Sequence, residues 1–100
     1  MFSAVSNKTA YVKDRTVYME LFSDRKISYK VTAGRIMRFG EEISVYGIEA
    51  EDFITGESEK IADFSPDIED AVAFAEMLTA CKVRPRQLYV KALSYLMLLI

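Results

Sequence analysis

The chain has 100 residues, 51% of them hydrophobic, with 13 Lys and Arg against 15 Asp and Glu and a formal net charge of −2. That length holds one domain, and a globular chain of this size buries roughly 65% of its unfolded surface, enough for one core without staples; the apolar share excludes a disordered chain. With no His and a single Cys, an internal disulfide, a Cys/His zinc site and Ser-His-Asp or Cys-His chemistry are excluded within one chain, so the expectation is a cytoplasmic protein without a cofactor.

Residues 1–15 read as a loose, polar arm with no signal-peptide pattern, ahead of a single domain over residues 16–100. From Thr16 the period is two: Val17, Met19 and Leu21 take one face and Tyr18, Glu20 and Phe22 the other. Ser23-Asp24-Arg25 makes a turn. A second strand sets Ile27, Tyr29, Val31 and Ala33 against Lys26, Ser28, Lys30 and Thr32, and Phe39-Gly40-Glu41-Glu42 forms a four-residue hairpin loop. The third strand runs from Ile43 to Ile54, with Tyr46, Ile48, Ala50 and Ile54 on one face and Glu49 and Glu51 on the other. Thr55-Gly56 turns the chain into a short fourth strand, Ser58 to Phe64.

There the period changes. Ser65 is placed to cap a helix over about 66–81, Pro66 suits its first position, and Asp67, Glu69 and Asp70 favour the positive end of its dipole. Its apolar stripe is Ile68, Ala71, Val72, Ala75 and Leu78. Pro85 opens a second helix over about 85–98, striped by Leu88, Ala92, Tyr95, Leu96 and Leu99. The expected fold is α+β: a four-stranded antiparallel meander over about 16–64 with both helices packed on one face. The most apolar stretch, Leu88 to Ile100, is 13 residues long and holds Lys91 and Ser94, too short and too polar to span a bilayer.

The segments Tyr46-Gly47-Ile48-Glu49, Asp63-Phe64-Ser65-Pro66-Asp67 and Val83-Arg84-Pro85-Arg86-Gln87-Leu88 have an order and spacing that resembles a family of short bacterial proteins known only as a domain of unknown function. The resemblance covers roughly residues 15–96. It implies a small cytoplasmic α+β protein and no activity. Arg84 departs from the pattern, which has a capping Ser or Thr before the proline; a weak cap there costs about 1 kcal/mol.

Chemistry-bearing residues are sparse. The carboxylates at 41–42, 49–52, 57–59 and 67–70 fit no calcium loop and read as solvated strand faces and a helix start, so the protein is read as not an enzyme. Cys81, at a helix C-terminus, reads as a buried inert thiol. Lys26, Lys30, Arg35 and Arg38, beside Tyr29 and Phe39, could meet nucleic acid through phosphate contact and stacking. Cross-strand pairing competes for them: the four-residue loop sets Lys30 against Glu51 and Thr32 against Glu49. The same register sets Gly34 against Gly47, giving either an outer-sheet dent bordered by Ile36 and Val45 or a bulge.

The last helix carries more apolar residues than one buried face needs, with Tyr89, Val90, Leu93, Met97 and Ile100 beyond its stripe. The leading reading is a non-enzymatic interaction module that forms a homodimer through this helix, with an unknown protein partner as another occupant of the same face. Nucleic-acid binding through the basic second strand is the alternative, and the acidic overall balance disfavours it. Charge is also segregated along the chain: residues 1–40 carry +5, residues 41–80 carry −11 and residues 81–100 carry +4. Pairing of the basic and acidic strands would neutralise these blocks in space.

Overall fold

The computed structural model describes residues 12–98. Four antiparallel strands, β1 (Lys13–Ser23), β2 (Ile27–Arg38), β3 (Glu41–Asp52) and β4 (Ser58–Ser65), form a meander in chain order. Two helices follow, α1 (Ile68–Cys81) and α2 (Leu88–Leu98), the second introduced by a 3-10 turn at Pro85–Gln87. Both lie on one face of the sheet, the α+β arrangement that the change of period implies. Residues 13–15, expected in the arm, belong to β1; the expected arm over residues 1–11 lies outside the described residues.

The inner face follows the period-two pattern. Ile27, Tyr29, Val31, Ile48, Ala50 and Ile61 are buried under Ala71, Phe74, Ala75 and Leu78 of α1 and under Leu88 and Ala92 of α2. Phe64 stacks on Phe74 with ring centroids 4.6 Å apart, and Tyr95 tilts against Phe74 at 5.2 Å. The helix–helix connection is tied to the sheet by the Tyr29 hydroxyl, which donates to the Val83 carbonyl at 2.6 Å. Burial pushes this phenol up to about 12, because the phenolate would lose its hydration.

Local geometry corrects several sequence expectations. The β2–β3 loop is Phe39-Gly40 alone, both with positive φ (53° and 78°), the backbone of a tight two-residue hairpin. The register therefore moves by two residues. Lys30 faces Glu49 rather than Glu51, Thr32 faces Gly47 rather than Glu49, and Gly34 faces Val45 rather than Gly47. An even shift keeps every side chain on its expected face. In β1, Val17 pairs with Thr32 but Met19 with Val31, so Tyr18 is an extra residue. That bulge turns Val17 away from the core, 55% exposed. Ile54 lies beyond β3, in the exposed turn that leads to β4. Asp52 organises this turn: its carboxylate accepts from the backbone N–H of Ile54 (2.8 Å) and Thr55 (3.0 Å). The Thr55 and then the Ile54 bond hold its pKa below the usual value.

Helix α1 begins two residues later than expected. Asp67 rather than Ser65 caps it, accepting from the Glu69 N–H at 2.9 Å, while the Ser65 hydroxyl accepts from the Asp67 N–H at 3.0 Å. Pro66 thus precedes the helix instead of opening it. Lys82 ends α1 in a left-handed conformation, φ 53°. The start of α2 is the weak point that Arg84 forecasts. A guanidinium has no acceptor for the helix N–H groups, and no side-chain cap bond forms there. Gln87 Oε1 supplies half a capping box by accepting from the Arg84 N–H at 3.4 Å.

Candidate functional site

Two surfaces remain once the inner face is filled. The first is the outward side of α2. Val90, Leu93 and Met97, spaced three and four residues apart, share one helix face and are 65%, 48% and 73% exposed. The opposite side of the helix buries Leu88 and Ala92, with Tyr95 and Leu96 packed against the core. Tyr89 departs from the expected interface set. It packs against the core, and its hydroxyl donates to the Lys60 carbonyl of β4 at 2.8 Å. Ile100 and Leu99 lie outside the described residues.

The charge around α2 is partly balanced within the chain. Lys82 pairs with Asp24 at 3.0 Å and Arg86 with Glu57 at 2.7 Å. Lys91 is the one ionisable cation on the helix itself. The +4 block at the chain's end is thus partly neutralised before any second molecule arrives. Such exposed pairs contribute little to stability, but they lower the net positive potential around the helix.

The second surface is the sheet around the basic second-strand residues: Lys30 and Arg38 alternate onto the outer face, Arg35 shares the side of Tyr29 and Val31 beyond the helices, and Lys26 lies in the β1–β2 turn. Arg35 pairs with Asp14 at 2.5 Å and with Glu42 at 3.7 Å, Arg38 with Asp63 at 3.3 Å, and Lys13 with Glu42 at 2.8 Å. The Lys13 ammonium, first by its hydrogen bond, holds the Glu42 carboxyl below its usual range. Arg15 reaches over β2 to Glu49. Spatial neutralisation of the basic and acidic blocks therefore occurs, largely through diagonal pairs that reach across the sheet. Of the four residues considered for nucleic acid, Arg35 and Arg38 are engaged by carboxylates, and Lys26 and Lys30 form no ion pair among the described residues.

Gly34 and Gly47 do not form a dent. A Cβ on Gly34 would stand 2.5 Å from Val12 Cγ1 and 3.1 Å from Arg15 Cγ; one on Gly47 would stand 2.5 Å from the Ile61 carbonyl oxygen. Both edge strands carry a register shift beside these positions and fold over them. Close approach of backbone is why the positions are glycine. Ile36 and Val45, which would have bordered the dent, are 2% and 1% exposed. Cys81 is exposed, contrary to the buried thiol expected, since the chain turns away immediately after it at Lys82. Among the described residues no three carboxylate or thiol groups converge as metal ligands would, and no helix is long and apolar enough to cross a membrane.

No family model, curated protein or solved structure matches the chain. The resemblance to short bacterial proteins therefore gains nothing from comparison, and any functional reading rests on these two surfaces.

Proposed function

We propose that the protein is a non-enzymatic interaction module that self-associates through α2. The observation that supports it is the Val90, Leu93 and Met97 stripe, whose members are 65%, 48% and 73% exposed on a helix already buried on its other side. Contiguous apolar surface of this kind is costly to leave in water and marks an interaction face. Spacing of three and four residues lets a stripe mesh with an identical one across a two-fold axis. Local pairing of Lys82 and Arg86 neutralises two of the four cations of residues 81–100, which reduces the charge that opposes that approach. A cytoplasmic setting belongs to the same reading, since the unpaired, exposed Cys81 thiol persists best in a reducing compartment.

Sedimentation velocity at micromolar concentration tests this. The wild type sediments as a dimer, and Leu93→Glu, which places a charge in the middle of the stripe, as a monomer. A monomeric wild type defeats the reading.

A further inference from the structure

A cavity of about 540 Å³ lies along β2, β3 and β4 and is lined also by Tyr89 of α2; the outward Val90, Leu93 and Met97 stripe takes no part in it. Its floor is two cross-strand rows. Register aligns Ser28 (β2), Glu51 (β3) and Ser58 (β4) in one row, and Lys30, Glu49 and Lys60 in the next. All six line the cavity. Ser28 is 0% exposed, yet its Oγ has no hydrogen-bond partner among the described residues. A buried hydroxyl without a partner is uncommon and calls for an explanation; here it belongs to the wall of a polar cavity.

The two rows differ in available charge. Glu49 is already paired with Arg15. This leaves the Lys30 and Lys60 ammoniums on either side of a neutralised carboxylate, a site for an anion. In the other row Glu51 lies between two serine hydroxyls and forms no ion pair among the described residues, and Glu59, next to Ser58, also lines the cavity. That row suits a cation that donates hydrogen bonds. Rows two residues apart along a strand are separated by about 6.6 Å. Two extended residues of peptide span about the same length.

We infer that this cavity binds a zwitterion of dipeptide length. Its carboxylate lies over the Lys30–Lys60 row, and its ammonium lies on Glu51 within reach of Ser28 Oγ. Both ends are recognised by charge-assisted hydrogen bonds, and the buried serine hydroxyl gains the partner it lacks.

Titration of the full chain with diglycine, followed by amide chemical shifts, tests the inference; acetate and methylammonium serve as single-ended controls. Diglycine should move the amides of residues 28–30, 49–51 and 58–60 and saturate in the millimolar range. Glu51→Gln and the double variant Lys30→Gln/Lys60→Gln should each weaken it about tenfold. Ser28→Ala separates a ligand contact from a merely unpartnered hydroxyl: it should leave the spectrum folded and reduce affinity several-fold. Unmoved amides with diglycine, acetate binding as tightly as diglycine, or full affinity in Ser28→Ala would each overturn the assignment.

Discussion

The two helices lie on the same sheet face and are built to different rules. Helix α1 is closed at both ends, by the Asp67 side chain at its start and left-handed Lys82 at its finish, and turns Ala71, Phe74, Ala75 and Leu78 inward. Its outward positions include Glu69, Ala73 and Glu76, all exposed, as expected for a helix whose other side meets water. Helix α2 has no side-chain cap at its entry and turns Val90, Leu93 and Met97 outward. A helix that served only to cover the sheet would resemble α1. The outward stripe of α2 has no use within the described monomer, and that difference motivates assigning it to a second copy.

The contrast can be broken at several points. Phe74→Ala should cost the most, about 3–5 kcal/mol by chemical denaturation, since it empties the stack with Phe64 and Tyr95. A small loss would mean that α1 is not the helix that holds the core. The Tyr29–Val83 bond comes next, at the joint between the helices. The folded pKa of about 12 stands above the ordinary 10.0. Stability from this group is therefore fully present below pH 10 and is lost as pH rises towards 12, by roughly 2 kcal/mol. Tyr29→Phe should flatten that alkaline loss. It should also cost about 1 kcal/mol at neutral pH through the lost hydrogen bond. Capping gives a smaller and opposite pair of effects: Asp67→Ala should destabilise by about 1 kcal/mol, while Arg84→Ser should stabilise by up to about that amount. Thermal unfolding of the two variants should shift in opposite directions, and equal shifts would remove the asymmetry between the helices. The smallest effect is expected for Leu93→Glu on the monomer itself, within about 0.5 kcal/mol for an exposed position that the fold does not use.

Much of this was legible in the sequence, and the parts that were not share a cause. Strand faces were readable because Ile27, Tyr29 and Val31, and Ile48 and Ala50, repeat every second residue. The β2–β3 partners were not, because a register shift of two leaves that pattern unchanged. Phe39 adopting a left-handed φ also hid the tight turn, since Phe-Gly lacks the Asn-Gly or Asp-Gly signature. The bulge at Tyr18, which swings Val17 to the opposite face, has no compositional mark in its own strand. The two bulges over the outer face do have one, in Gly34 and Gly47, although the glycines point to backbone packing and not to an open site. Phe74 was absent from the expected stripe, although its spacing from Ala71 and Leu78 could have placed it there. The outward stripe of α2 was visible as an excess of apolar residues. Tyr89 is separated from it by packing against the core and by its bond to the Lys60 carbonyl, a contact between residues 29 apart in the chain. The polar cavity was not visible, because its two rows assemble only in the observed register.

Cys81 supplies the most direct test of the α2 surface, because it is the single cysteine of the chain and is exposed. A nitroxide attached there should show intermolecular dipolar coupling in the wild type. The coupling should vanish in Leu93→Glu and persist in Val17→Glu, a control with similar exposure on β1. Absence of coupling in the wild type, or its loss in Val17→Glu with retention in Leu93→Glu, would contradict the assignment of α2 as the self-association surface.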